Sequence, residues 1–335
     1  MPVSIKDIAR LAGVSHSTVS RALRDSPLIP AATAQRIQQI ARESGYTASA
    51  VARSLVTRKT QAIGVVVTSI ADPFNGDLVD GIEEVANQHG YSVILATSQA
   101  DPEREMAVVR SFGERRVDGI LVASSRVGSL YLPMLEELKI PIVLVNNQHR
   151  SDFAYSIAVD NVHGAYQAAR HLIELGHRRI GYLGDRLGLH SDEDRFAGFG
   201  KALAEFKVSL PKEFVVYGDG KLEGASIAAR DLLHRSKRPT AVLCYNDISA
   251  FGLLKVAEEC GIMIPESLSV TGFDDITFAA LARPALTTVR QPRREMGRKA
   301  AELLVAIFNG SPEEKALVIR GELIVRESTA PLSAS

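Results

Sequence analysis

Two groups of residues in this 335-residue sequence have types and spacings suited to chemistry. The first is Ser15-His16-Ser17-Thr18-Val19-Ser20-Arg21, followed by Arg24, with no acid before Asp25. Hydroxyls, an imidazole and guanidinium groups on one helix face can donate to base edges and phosphates, the helix N-terminus lying toward the bases. The second group is dispersed: Asp72-Pro73-Phe74, Ser124-Ser125, Asn146-Asn147, Asn246-Asp247 and Asp274-Asp275, each following a short apolar run. Carboxylates and amides take ligand hydroxyls in pairs while an aromatic face covers C–H surface, so such a set suits a polyhydroxylated ligand. Each Asp or Asn alone is as well explained as a helix N-cap, and only the recurrence at five strand ends favours a site.

The elements that must carry the first group occupy the first sixty residues. Ser4-Ile-Lys-Asp7 is a capping box, opening a helix with Ile5, Ile8, Ala9 and Ala12 on one face, and Gly13 stops it. After the turn Gly13-Val14-Ser15, Ser15 caps a second helix with Val19, Ala22 and Leu23 inward. So brief a turn predicts a steep crossing, the helix-turn-helix arrangement. A third helix runs through Ile37, Ile40 and Ala41 to Gly45, and Tyr46 packs back on the bundle. The weakly apolar stretch 48–57 is too short to be a stable helix in water by itself.

From Ala62 onward, β-rich apolar runs alternate with helical patterns in two sets. One set is Ala62–Thr68, Tyr91–Thr97, Gly119–Ser124 and Pro141–Asn146; the other is Arg179–Gly184, Glu213–Gly218, Thr240–Cys244 and Ser269–Thr271. Strands apolar on both faces with helices between them predict parallel sheets in an α/β fold, and two sets predict two lobes. Ligands of such sheets bind beyond the carboxyl ends of the strands, where the second group of residues stands.

Composition bounds the reading. With 46% hydrophobic and 23% charged residues the chain is an ordinary globular one, and its apolar runs fall far short of a membrane-spanning helix. The charged N-terminus is unlike a secretory signal, so the expected location is the cytoplasm. Cys244 and Cys260 suggest neither a zinc site nor a disulfide framework and read as inert thiols. The zero net charge hides an asymmetry: residues 1–60 hold nine Lys/Arg against three Asp/Glu, a net of +6, leaving −6 on the rest. A basic head on an acidic body fits a nucleic-acid reader joined to a regulatory or catalytic part, although a solvated basic face has the same charge.

Enzyme motifs are missing. The sequence has no His-x-x-x-His, Cys-x-x-Cys or G-x-S-x-G; His163, His171 and His177 lie on or near a helix at 161–175, and His171 reads as a capping or solvated residue. Gly181-Tyr-Leu-Gly184 is only a weak nucleotide signal, so an NAD-dependent dehydrogenase and a stand-alone sugar-binding protein are kept as alternatives. No cofactor and no metal site is expected. Of Asp274 and Asp275, one is expected to face a ligand and the other to be structural.

The run Ile5 to Arg21, with Gly45-Tyr46 and Ala50-Val-Ala-Arg-Ser-Leu55, resembles the LacI/GalR family of bacterial transcription regulators, across some fifty consecutive positions. Further landmarks are Asp160–Ala165, His171–Gly184, Asp194–Phe199, Asn246-Asp247, Val270–Asp275 and Leu286–Pro292. The resemblance implies a helix-turn-helix head at 1–47, a hinge and linker at 48–60, and an effector-binding, dimerising body at 61–335 similar to periplasmic sugar-binding proteins. Within the body it implies one lobe of about 61–160 and 292–320 and another of about 161–290 and 321–335, joined by three crossovers.

At the DNA the resemblance places Ser4, Ser15, His16, Ser17, Thr18, Ser20 and Arg21 of the head and Val51, Ala52, Arg53 and Leu55 of the hinge. His16, Ser17 and Arg21 would face base edges, Ser15, Thr18 and Ser20 would hold phosphates, and paired Leu55 side chains would wedge a minor-groove step of a pseudo-palindromic operator. In the cleft it places Asp72, Phe74, Ser124, Asn146, Asp160, Ser191, Arg195, Asn246, Asp274 and Gln291, with Arg195 the foremost. The implied function is repression controlled by a small-molecule effector, a sugar or sugar derivative, in a homodimer without membrane association. The tail after Glu327 has no heptad for a tetramer. Two departures stand out: Arg24 and Pro30 replace small polar residues, and Gly220 stands where sugar-binding members often place a stacking aromatic.

Overall fold

The computed structural model describes residues 3–46, 59–148, 155–310, 312 and 315–332. It divides into two units, Met1–Gln61 and Ala62–Ser335. The expected hinge, with Val51, Ala52, Arg53 and Leu55, lies outside the described residues.

The first unit is built from α1 (Ile5–Ala12), α2 (His16–Ala22) and α3 (Ala31–Glu43). Ser4 and Asp7 form the capping box reciprocally, and Gly13, at φ 64°, ends α1 in the left-handed region that favours glycine. Ser15 caps α2 by accepting from the Thr18 N–H at 3.1 Å. Ile8, Ala9, Ala12, Val19, Ala22, Ile37 and Ala41 meet in the core, with Leu23 and Tyr46 packed against it.

The second unit has two six-stranded sheets. The first comprises β1 (Ala62–Val67), β2 (Ser92–Thr97), β3 (Gly119–Ala123), β4 (Ile142–Val145), β5 (Ser156–Val159) and β11 (Ala316–Ile319), in the order β11-β5-β4-β3-β1-β2. The second comprises β6 (Ile180–Asp185), β7 (Val215–Gly218), β8 (Ala241–Cys244), β9 (Ser269–Asp274), β10 (Thr287–Arg290) and β12 (Glu322–Ile324), in the order β12-β10-β9-β8-β6-β7. All pairings are parallel except β10 with β12. The chain passes between the sheets after β5, after β10 and between β11 and β12.

Helices cover both sheets because strands apolar on both faces must be shielded on both. In chain order they are α4 (Pro73–Gln88), α5 (Pro102–Glu114), α6 (Leu132–Leu138), α7 (Asn161–Glu174), α8 (His190–Glu205), α9 (Leu222–Leu233), α10 (Asp247–Glu259), α11 (Thr277–Leu281) and α12 (Arg293–Phe308). Two helix pairs approach on glycine. A Cβ at Gly297 of α12 would stand 2.1 Å from the Leu78 carbonyl oxygen of α4, and one at Gly198 of α8 the same distance from that of Val162 in α7.

Four strands, β5, β10, β11 and β12, are not among those read from the sequence. They are three or four residues long and half polar or half exposed, so they lack the apolar run that marks the buried strands. Strands β6 and β9 also run further than expected, taking in Asp185 and Asp274.

Candidate functional site

On the head, α2 turns His16, Ser17 and Arg21 outward, Arg24 just beyond it is also exposed, and Thr18 and Ser20 are half-buried. Among the described residues, His16 and Arg21 make no side-chain hydrogen bond or ion pair, so both can reach outward. The hydroxyls are engaged locally. Ser15 Oγ lies 2.8 Å from Ser17 Oγ and 2.9 Å from Thr18 Oγ1, and Ser20 Oγ accepts from Arg24 Nη2 at 3.0 Å. Ser4 donates to the Asp7 carboxylate at 2.6 Å, the role its capping motif predicts.

In the second unit the carboxyl ends of both sheets enclose a cavity of about 670 Å³. Of the residues expected there, Asp72 and Phe74 enter after β1, Ser124 after β3 and Asn146 after β4, facing Ser191 and Arg195 of α8. Asn246, Asp274 and Gln291 enter after β8, within β9 and after β10. Asp160 does not line it: its carboxylate caps α7, accepting from the His163 N–H at 2.9 Å. That expectation is corrected in favour of the capping role.

The polar pairs divide. Ser124, Asn246 and Asp274 face the cavity, while the residue after each turns into the protein. Ser125 donates to buried Glu105 at 2.5 Å, which also accepts from Tyr131 and from the Arg126 N–H. Asp247 accepts from the Ile276 N–H and Thr288, and its burial pushes its pKa well up. Asp275 pairs with Arg290 and Arg326 at 2.8 and 2.7 Å. Ser124 (φ 53°) and Asp274 (φ 121°) make this division at positive φ, as does Asn146 (φ 49°) elsewhere on the rim, whereas Asn246 is extended; such strain clusters at functional sites.

Arg195 is the fixed point of the inner end. Nε donates to Asn161 at 2.9 Å, Nη1 to the Tyr245 carbonyl at 2.6 Å, and Nη2 stands 3.7 Å from Asp274 Oδ1. The Phe273 and Tyr245 rings lie 3.8 and 4.7 Å from its guanidinium carbon. Asp274 in turn accepts from Gln291, which accepts from Asn146 at 3.1 Å. Burial raises the Asp274 pKa to about 6, with Arg195 opposing the shift, and burial also raises that of Asp72. Burial pushes the Tyr245 phenol up to about 12, so it remains a neutral partner for Ser191 at 2.9 Å.

The cavity includes residues the sequence reading missed. Gln148, after β4, reaches α8 across the cavity, its Oε1 accepting from the Ser191 N–H at 3.1 Å. Arg126, Asp185, Asp219, Lys221 and Tyr245 also line it. The strand-end rule finds Asp185 once β6 is given its full extent, and it already points to Tyr245, the residue directly after β8. The histidines stand apart: His177 is buried against Thr240, Ser269 and the Ala330 carbonyl, and His171 meets Thr329. Burial lowers the pKa of both, so His171 is a partly buried side chain in place of the capping or solvated one expected. No group of His, Cys, Asp and Glu that could hold a metal exists among the described residues. Nor does any helix among them have the length and apolarity to cross a membrane.

Residues 4–49 match the model of bacterial regulatory proteins, lacI family, and residues 169–329 match a periplasmic binding protein-like domain. The HTH-type transcriptional repressor PurR of Vibrio atlanticus (strain LGP32) is 36% identical over 327 residues, 97% of this chain and 98% of that one. PurR of Klebsiella pneumoniae (strain 342) is 34% identical over 330 residues, 98% and 97% of the two chains. Among solved structures, a transcriptional regulator CelR–cellobiose complex aligns with a TM-score of 0.74 at 30% identity, covering 97% of this chain and 99% of the other. A lac repressor dimer bound to operator and the anti-inducer ONPF aligns with a TM-score of 0.89 at 26% identity, covering 98% and 100%.

Proposed function

Because this chain belongs to the lacI family of bacterial regulatory proteins, which are DNA-binding transcription regulators and not enzymes, we propose that it is a cytoplasmic homodimeric repressor controlled by a sugar or sugar derivative in its cavity. The observation carrying the effector class is the lining. Asp72, Asp274, Asn146, Asn246 and Gln291 offer hydroxyl acceptors and donors around Phe74, while the positive charge of Arg195 is already faced by Asp274. A neutral ligand rich in hydroxyls satisfies such a site without bringing an uncompensated charge into it.

His16, Ser17 and Arg21 read base edges in each half of a pseudo-palindrome, with Ser15, Thr18 and Ser20 at phosphates. Residues 48–60 are the hinge, and Leu55 is the minor-groove wedge. The cavity is made by two sheets joined by three chain passages, so a ligand that prefers one lobe angle shifts the population of that angle and with it operator affinity. The relatives named for repression, an operator-bound dimer and a cellobiose complex support the reading.

The test combines thermal shift of the full chain against sugars, sugar phosphates, sugar acids, nucleosides and purines with operator selection from random DNA. A neutral sugar that raises the melting temperature and changes affinity for a selected palindrome supports the reading. A nucleoside or purine doing so in its place overturns the effector class. Leu55→Ala with unchanged affinity and bending overturns the wedge.

A further inference from the structure

The lining is wider than the inner end built around Arg195. Across the second sheet it runs from Gln291 after β10 to Gly220 after β7. In the strand order β10-β9-β8-β6-β7 that is four spacings, about 19 Å at ~4.8 Å each, more than a single sugar ring covers. The far end has its own chemistry. Asp185 is only 4% exposed; its Oδ1 accepts from the Leu187 N–H, and Oδ2 has no hydrogen-bond partner among the described residues.

Arg126, just after β3 of the other sheet, also lines the cavity, and its charge acts on Asp185, opposing the rise in pKa that burial causes there; its side chain makes no hydrogen bond or ion pair among the described residues. Its backbone is held in place, since its N–H donates to buried Glu105 at 3.3 Å. Between Asp185 and Tyr245 stands Gly220, at φ 70°. A Cβ there would lie 2.8 Å from Asp185 Oδ2 and 3.4 Å from Tyr245 Cε1, so the missing side chain keeps that space open.

Resting on the reading of the cavity as a sugar site, we infer that it holds a second subsite at Asp185, Gly220 and Arg126, and that the effector is a neutral molecule of two hydroxyl-bearing units. An anion at this end meets Asp185 and Asp219, and a cation meets Arg126 and Lys221. A hydroxyl answers both sides, donating to the free Asp185 oxygen and accepting from the Arg126 guanidinium. Because Asp185 ends β6 of one sheet and Arg126 follows β3 of the other, the ligand's second hydroxyl-bearing ring links the two sides of the cavity, as Gln148 and Ser191 already do.

Isothermal titration of the full chain with glucose, galactose, maltose, cellobiose, trehalose and lactose tests this. At least one disaccharide is expected to bind at least about tenfold more tightly than either hexose, the scale of one buried polar group gaining its partner. In Asp185→Asn, which keeps the Leu187 contact, and separately in Arg126→Gln, that ratio falls toward one. The circular dichroism and melting of each variant certify its fold. A hexose that binds as tightly as every disaccharide overturns the second subsite and leaves the sugar reading standing, as do variants that weaken hexose and disaccharide equally. Binding by none of the six sugars overturns the sugar reading and the subsite with it.

Discussion

Gln291 donates from Nε2 to Asp274 Oδ1 at 2.6 Å, and that same oxygen faces Arg195 Nη2 at 3.7 Å. One residue follows β10 and the other ends β9, so the bond joins neighbouring strand ends at the point where the chain leaves the second sheet for the first. Both side chains are largely buried at the cavity wall, so losing one partner leaves the other group poorly compensated. Gln291→Leu should therefore cost about 1–3 kcal/mol of stability, the desolvation penalty of the groups left unpaired. Urea denaturation of the full chain measures it, and a cost below a few tenths of a kcal/mol refutes the role.

Arg195 has the larger stake, since its fork serves Asn161, the Tyr245 carbonyl and Asp274 at once. Arg195→Met should destabilise by about 3–5 kcal/mol by leaving a buried carboxylate uncompensated. Adding Asp274→Asn should restore part of that loss, and a double-mutant cycle by chemical denaturation reads the coupling. Arg195→Lys should not substitute, because a single ammonium cannot meet three acceptors in the fork's geometry.

Burial raises the pKa of Asp192 in α8 to about 6, and the hydrogen bond from Tyr182 at 2.8 Å opposes that shift. The folded protein thus holds this proton at a pH where the unfolded chain has released it. The Asp192 contribution is accordingly most favourable below about pH 4, falls as pH rises to about 6 and is flat above. Asp192→Asn should gain stability relative to the parent across that window, by up to about 3 kcal/mol. Melting curves of both proteins from pH 4 to 8 check it, and a constant difference contradicts the assignment.

Gly297→Ala places a methyl carbon 2.1 Å from the Leu78 carbonyl oxygen, so α12 and α4 must separate. Overpacking of this kind costs about 1–3 kcal/mol. Gly76→Ala, on α4 with open space around its Cβ, is the control and should be neutral or slightly stabilising in the same denaturation experiment.

On the head, Arg21→Ala should lower affinity for a selected operator by about 1–3 kcal/mol while sparing random DNA, if the guanidinium reads a base. Fluorescence anisotropy at fixed salt separates the cases. Equal losses on both DNAs would make Arg21 a phosphate contact.

Local interactions are legible in the residues alone. The capping pairs Ser4 with Asp7 and Ser15 with Thr18 are three residues apart, and Gly13 needs only its own φ, so the helix-turn-helix is written in consecutive positions. The long buried strands are equally plain, since runs such as Ile63 to Val67 are apolar on both faces. Strands β5, β10, β11 and β12 are decided elsewhere: they form because a neighbouring strand offers a ladder, as Ala316–Ile319 does for β5, and their own residues do not require it. The side-chain partners are decided there too. Asp160 and Asp72 both cap helices, yet only Asp72 also meets the cavity, and nothing within a few residues of either distinguishes them. The partners of Arg195 come from Asn161, Tyr245 and Asp274, as many as 79 positions away in the chain. The free oxygen of Asp185 faces a gap left by Gly220 on a different strand end. Hydrogen bonds and burial depend on what the folded chain brings within a few ångströms, and for these residues that neighbourhood exists only once both sheets have assembled.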